Sequence, residues 1–339
     1  MRGRPGSVTG WRRAARRTLA LGAVLGAVLG AVLGAVLGAV LGPACAAAWA
    51  EEPETTTARE HVLVIGRVSA DPDQDRAALQ GMVDHFAGRM RGLGVTGGRV
   101  VIAPDNATMI TFLRAGKVDW VSETALSALR FEEEGNAEIV ALRWKDGVVD
   151  YRTLFFARDD NGIRSLDDLR GRTIAFEDPG STSAYFLPAA LLIQKGLRLV
   201  RLSPGRQAPP PDAVGYVFSG DERNTSDWVH SGVVDVGVLS NSDWIDPQRM
   251  PSDYKKELRV IHRTRRVPRA LELVRADLKP RIKMRLVDLL VHAHEDPAAV
   301  EVMAAYRDTR RFDPIDARLR EDLEALRPLG EIVREELGP

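Results

Sequence analysis

Apolar residues recur along this chain in short runs of about five, separated by stretches with helical spacing. His61-Val-Leu-Val-Ile-Gly66 is a run of buried-strand type. Leu79, Met82, Val83, Phe86 and Met90 then repeat at three- and four-residue intervals, which predicts a helix over 77–90. The alternation continues with strands over 99–103, 118–121 and 139–143 and helices over 107–115 and 126–134. A second series follows: strands over 153–157 and 172–176, a short Ser-capped helix over 165–171, and extended segments over 199–202 and 216–220. A helix over 224–231, a strand over 233–239 and extended pieces over 258–262 and 270–275 complete it, and the pattern is helical from Pro280 onward. Strands alternating with helices predict an α/β architecture with largely parallel sheets. Gly-Lys-Val-Asp at 116–119 is echoed by Gly-Val-Val-Asp at 232–235, each closing a helix and opening a strand, as if two halves share one plan.

The stretch 175–188 is the most informative. It reads as the end of a buried strand, the turn residues Asp178-Pro179-Gly180, and then Ser181, Thr182 and Ser183 at the start of a helix. The first N–H groups of a helix have no intrahelical partner, and they lie at the positive end of the dipole. Three hydroxyls added there make a receptor for an anion. Ser and Thr are also favoured as helix caps whatever the function, and both readings fit the turn.

The first fifty residues have a different character. Arg12, Arg13, Arg16 and Arg17 precede a repeated Leu-Gly-Ala-Val run over 19–42, and Ala48-Trp49-Ala50 follows. Basic, apolar, then small residues is the order of a secretory signal, with cleavage expected after Ala50. The run is long enough to span a bilayer, so an uncleaved N-terminal anchor is the alternative. The expected location is periplasmic or secreted, with the membrane met only through this segment. Residues 51–60 read as a polar, flexible leader.

The whole chain balances 47 basic against 47 acidic residues. The first fifty residues carry six arginines and no acid, so the remainder is net −6, which argues against a nucleic-acid partner. Cys45, the one cysteine, lies before the expected cleavage point, leaving no disulfide framework and no thiolate chemistry beyond it. His292 and His294 stand two apart beside Glu295, a spacing at which helical residues do not face each other, so they read as a surface cluster. No Gly-x-Ser-x-Gly elbow, His-Glu-x-x-His or phosphate-loop motif occurs, and the chain is expected not to be an enzyme. No cofactor or metal is expected, and the protein is expected to be a monomer.

Asp178-Pro-Gly-Ser-Thr-Ser-Ala-Tyr-Phe-Leu-Pro188 closely resembles a motif of the phosphate, phosphite and phosphonate solute-binding proteins of ABC importers. Ala103-Pro-Asp105, Lys117-Val-Asp119, Ser165-Leu-Asp-Asp-Leu-Arg-Gly171 and Val234-Asp-Val-Gly237 occur in that family's order. The resemblance runs from about Val62 to about Pro314. It implies an α/β, two-lobed type 2 periplasmic-binding-protein fold with the ligand cleft between lobes joined by hinge strands. One lobe would comprise 61–152 plus 250–339 and the other 153–249. A small phosphorus oxyanion would be captured by hinge closure and handed to an ABC importer permease. A sensing module that presents its ligand to a membrane receptor is the alternative on the same fold.

Carried over position by position, the resemblance implies that Ser181, Thr182 and Ser183 donate to the oxyanion. Tyr151 matches a ligand-binding tyrosine, though it reads equally as hinge packing. Asn106 stands where the family has a tyrosine, and Ser122 and Thr124 fall in its opposing polar turn; Thr124 also reads as a helix cap. The family's anion-binding histidine falls on Glu222, whose carboxylate would repel an anion unless it turns away or holds a cationic part of the ligand. Arg223 next to it, or Arg67 after the first strand, could restore positive charge. The acids that hold a ligand amine in aminophosphonate binders fall on Ser242 and Ala270, neither acidic, so the protein is expected not to bind an aminoalkyl phosphonate in the known way; a different small anionic or zwitterionic ligand is an alternative.

Overall fold

The computed structural model describes residues 60–69, 73, 76–203 and 208–338. The expected signal, cleavage point and all but the last residue of the expected leader lie outside the described residues. Among the described residues no helix is long and apolar enough to cross a membrane.

The described strands, in chain order, are β1 (His61–Val68), β2 (Val95–Ala103), β3 (Trp120–Glu123), β4 (Ala137–Arg143), β5 (Asp150–Tyr151), β6 (Thr153–Arg158), β7 (Thr173–Phe176), β8 (Arg198–Arg201), β9 (Ala213–Phe218), β10 (Val236–Ser240), β11 (Leu258–Arg263), β12 (Val267–Pro268), β13 (Ala270–Arg275) and β14 (Phe312–Pro314). They form two six-stranded sheets, ordered β14-β4-β13-β3-β1-β2 and β11-β6-β10-β7-β9-β8, and a two-stranded ribbon of β12 with β5. This is a two-sheet α/β arrangement of the kind the resemblance implies.

Both sheets are mixed rather than largely parallel. In the first, β1 runs parallel to β2 and β3, while β13 lies antiparallel between β3 and β4 and β14 antiparallel on β4. In the second, β7, β8, β9 and β10 are parallel, and β6 alone is reversed, lying antiparallel between β10 and β11. The reversed strands β6 and β13 directly follow the two chain crossings at β5 and β12. A chain entering a lobe across the hinge arrives from the cleft side and runs opposite to strands reached through a βα unit. β11 is an edge of the second sheet, so the return crossing falls at 264–269, later than the expected break at 250. The C-terminal stretch, expected to be helical throughout, contains the three-residue strand β14.

Apolar burial explains this order. The parallel strands are nearly continuous hydrophobic runs because helices cover both faces. One buried cluster extends from Val64 and Leu129 in the first lobe through Phe155 and Ala190 in the second to Leu326 and Val333 near the C-terminus. A second cluster, around Phe86 and Trp120, sits behind the first sheet. Tyr151 on β5 is wholly buried at the crossing, pairing through its backbone with Val267.

Candidate functional site

The carboxyl ends of β1, β3, β4 and β7 and the turns after β2, β9 and β10 open onto one cavity of about 540 Å3 between the lobes. Crevices outside strand carboxyl ends are where open α/β sheets receive ligands. The first lobe lines it with Arg67, Asn106, Ser122, Thr124, Arg143 and Lys145, and the second with Glu177, Ser181, Ser183, Glu222, Asp243 and Arg249. Tyr151 and Arg269, one at each chain crossing, also face it.

The turn after β7 folds as a single π-helical turn, Thr182–Phe186, that continues into the α-helix Leu187–Gln194. Such turns are frequent at functional sites. The three hydroxyls expected to act together are divided by it. Ser181 caps the turn, its Oγ accepting from the Ala184 N–H at 3.1 Å, and still lines the cleft. Ser183 also lines the cleft, while its carbonyl accepts from Thr153 Oγ1 at 2.6 Å. Thr182 is fully buried and engages the other lobe: its Oγ1 accepts from the Leu126 N–H at 2.9 Å and donates to Thr124 Oγ1 at 3.1 Å. Its hydroxyl is therefore committed to a bridge between the lobes, not turned to the cleft. Ser127 adds a second bridge, donating to the Gly180 carbonyl at 2.9 Å.

Asn106, Ser122 and Thr124 reach the cleft with different capacities. Asn106 Nδ2 donates to Ser127 Oγ, and its Oδ1 has no partner, so as oriented it offers an acceptor. Ser122 donates to Glu272 at 2.6 Å, which uses its one hydroxyl proton. Thr124 stands at the N-cap position of the helix Ala125–Glu134 but makes no side-chain capping bond.

Glu222 lines the cleft, and its carboxylate lies 3.4 Å from Arg249. Arg249 also pairs with Asp243 and, at 3.5 Å, with Asp246. Burial works against the Arg249 charge, but Asp243 and Glu222 hold its pKa above the ordinary value. The acidic residue at the family's histidine position is thereby answered by an arginine from a different loop. Arg223 takes no part: it bonds Asp227 at 2.9 Å, lies over the Tyr254 ring and is outside the cleft lining. Glu177, beside Glu222 and Asp243, has its carboxyl pushed well above the usual range by burial and then by those two charges. Ala270 lines the cleft, and Asp243 brings a carboxylate there one residue after Ser242.

Arg143, Lys145, Arg249 and Arg269 went unnoticed in the sequence. Arg143 is almost wholly buried, its Nε 3.5 Å from Glu272 and its guanidinium 4.5 Å above the Tyr306 ring. Arg269 is buried too, bonded to Asp146 at 3.0 Å and stacked 4.5 Å from the Tyr151 ring. Arg143 Nη1, Arg269 Nε and the Tyr151 hydroxyl are buried with no hydrogen-bond partner. Arg67 also lines the cleft and donates to the Tyr306 hydroxyl at 3.2 Å. Orphaned buried donors are rare, and these three belong to residues that line the cavity.

Residues 68–319 match the family model described as ABC transporter, phosphonate, periplasmic substrate-binding protein. Two curated relatives are similar over part of their length. The phosphate-import protein PhnD of Mycolicibacterium smegmatis is 27% identical over 57% of this chain and 60% of its own. The phosphonates-binding periplasmic protein of Escherichia coli is 26% identical over 59% of this chain and 58% of its own. The chain thus spans about three-fifths of the length of the curated relatives it matches. Among solved structures, XAC2383 from Xanthomonas citri bound to ATP is 38% identical, covers 81% of this chain and 99% of its own, and superposes with a TM-score of 0.78.

Proposed function

The chain belongs to the ABC-transporter phosphonate periplasmic substrate-binding protein family, and on that premise we propose that it captures a phosphorus oxyanion in the interlobe cleft and delivers it to an importer permease. The family is one of transporter binding proteins, not enzymes. The observation that carries the reading is that Arg67, Arg143, Arg249, Arg269 and Tyr151 line the same cavity as Ser181 and Ser183. A tetrahedral oxyanion has enough lone pairs to satisfy all of them. Closure would be a hinge motion at the β5–β12 ribbon. The Thr182 and Ser127 bridges would hold the lobes shut, giving the permease a distinct closed form to recognise.

Export to the periplasm follows the family, and the N-terminal signal remains part of the proposal. One relative favours a larger ligand: the Xanthomonas citri protein is described as bound to ATP, so a phosphate ester is the second reading. The test is calorimetric titration of the purified protein with phosphate, phosphite, methylphosphonate and sulfate, repeated on Ser181→Ala/Ser183→Ala. Micromolar binding of a phosphorus oxyanion, weakened at least tenfold in the double variant, is expected. Unchanged affinity in that variant would remove the hydroxyl turn from the site.

A further inference from the structure

Arg249 stands where three turns of the second lobe meet. It follows the short helix Asn241–Ile245, in a turn closed by the Arg249 and Met250 N–H groups, which donate to the Asp246 carbonyl at 3.1 and 2.8 Å. Met250 is wholly buried in the cluster of Phe156 and Leu258 and anchors that turn in the core.

Three carboxylates, each set by a different turn, surround the guanidinium. Asp243 closes a capping box: its Oδ2 accepts from the Ser240 N–H and hydroxyl, and its Oδ1 accepts from Arg249 Nη1. Asp246 accepts from the Gln248 N–H at 2.9 Å and lies 3.5 Å from Arg249 Nε. Glu222, in the first turn of the helix Glu222–His230, lies 3.4 Å from the same Nη1. Nη1 and Nε are thus engaged. Nη2 makes no hydrogen bond with a described residue and, unlike Arg143 Nη1 and Arg269 Nε, is not sealed in the interior. The Arg249 side chain keeps 22% of its surface accessible and lines the cleft together with Ser181 and Ser183. Glu177, whose carboxyl neighbours the Ser181 hydroxyl as well as Glu222 and Asp243, sets this cluster beside the hydroxyl turn.

A carboxylate on the wall of an anion site repels the ligand, so Glu222 costs affinity unless it serves another purpose. An arginine that is free in the empty site loses rotamer freedom when it binds, and one already clamped by carboxylates does not. The planar fork lets Nη1 and Nε serve the acids while the two Nη2 N–H groups stay available to a ligand. Asp243 is itself shared: burial works against its charge, and Arg249 and then Arg269 hold its carboxyl below the ordinary range.

We propose that Arg249 Nη2 is a ligand donor of the cleft and that Glu222 is a positioning residue, which holds the Arg249 guanidinium at the cleft wall and does not touch the ligand. This rests on the reading of the cleft as an oxyanion site. It supplies from another loop the positive charge that position 222 lacks. The two roles for Glu222 predict opposite signs. A carboxylate that merely faces the ligand repels an anion, so neutralising it tightens binding. A carboxylate that clamps the donor contributes more through preorganisation than it costs by repulsion, so neutralising it weakens binding.

The test is titration calorimetry of the purified protein with inorganic phosphate and methylphosphonate. Wild type, Glu222→Gln, Arg249→Gln and the double variant are compared, with circular dichroism to verify each fold. Arg249→Gln is expected to weaken binding by about tenfold or more, the loss of a hydrogen bond to a charged acceptor. Glu222→Gln is expected to weaken it about three- to tenfold, although a negative charge has been removed from the wall. In the Arg249→Gln background the same Glu222→Gln change should reverse sign and tighten binding roughly two- to threefold, because only repulsion is left. A residue that merely supports the fold would show no such reversal. Glu222→Gln is the milder change and decides the sign even where Arg249→Gln fails to fold. Binding by Glu222→Gln that equals or exceeds the wild type would overturn the positioning role. Unchanged affinity in folded Arg249→Gln would overturn the donor role. Either result leaves the oxyanion reading standing, since the wild type still binds. Wild type that binds neither anion would overturn that reading and this one together.

Discussion

Tyr151→Phe separates a ligand donor from a hinge-packing residue, because the two roles predict opposite signs. The Tyr151 side chain is fully buried, and its hydroxyl has no hydrogen-bond partner. Burial pushes the phenol above its ordinary pKa, with the Arg269 charge and the neighbouring Ser183 and Thr182 hydroxyls opposing; those hydroxyls lie close to it but outside hydrogen-bond geometry, and it remains a neutral donor at physiological pH. Leaving a buried hydroxyl unpaired costs the unliganded protein roughly 1–3 kcal/mol. Phenylalanine keeps the ring under the Arg269 guanidinium, 4.5 Å away, and removes only that oxygen.

Tyr151→Phe should therefore stabilise the unliganded protein by about 1–2 kcal/mol, a rise in Tm of roughly 2–6 °C for a domain of this size. In the complex the same change removes a hydrogen bond to a charged acceptor, worth about 1.5–3 kcal/mol, so Kd should weaken roughly ten- to a hundredfold. Differential scanning calorimetry and titration calorimetry on the same preparation read both quantities. A variant that is less stable without ligand and binds with unchanged affinity would refute the reasoning. The hydroxyl would then be a structural group with a partner at the hinge.

Thr182→Val keeps the side-chain shape but leaves the buried Leu126 N–H without its acceptor at 2.9 Å. The bridged form should lose roughly 1–3 kcal/mol. Small-angle scattering should show a larger radius of gyration without ligand, and affinity should fall as the competent population falls. Lost affinity with unchanged dimensions would instead put Thr182 on the ligand. Glu272 gives a pH prediction: burial pushes its carboxyl up to about 7 from 4.5, against the attraction of Arg143. Between those values the folded protein holds a proton that the unfolded chain has released, so this group lowers stability as pH rises across that window. The fall amounts to about 3 kcal/mol. Denaturant midpoints of the wild type and Glu272→Gln from pH 4 to 8 should converge at the acid end and separate above it. Parallel profiles would mean that Glu272 does not titrate there.

The order of strands and helices was legible because burial writes itself into the sequence as period. His61–Val68 and Thr153–Arg158 are apolar runs, and the helix Arg76–Gly88 repeats on one face. β14 was not legible: Phe312-Asp313-Pro314 has one buried apolar residue, follows two arginines, and pairs with β4 only through tertiary contact. The antiparallel entries β6 and β13 were hidden for a related reason, since strand direction depends on which side of the hinge the chain comes from. The hydroxyl turn was legible as chemistry because three hydroxyls follow a turn. Its internal division was not, because the outward or inward direction of Thr182 is set by helix Ala125–Glu134 of the other lobe.

The arginines were hidden by a sound general rule. Arginine and lysine are mostly exposed, and nothing in Arg143-Trp-Lys145 or Pro268-Arg269 departs from a solvated surface pattern. What buries them is the meeting of two strand ends with aromatic rings from elsewhere: Tyr306 under Arg143 and Tyr151 under Arg269. A charge brought into such a place needs either an acid or a ligand. Glu272 and Asp146 supply part of that, yet Arg143 Nη1 and Arg269 Nε remain unpaired. The same logic explains why Glu222 does not exclude an anion. A lone carboxylate at the mouth of the cleft would repel one, but Glu222 shares Arg249 with Asp243, which answers part of its charge. On the first-lobe wall Lys145 lies in the field of Asp146 and Glu123 as well as of three arginines.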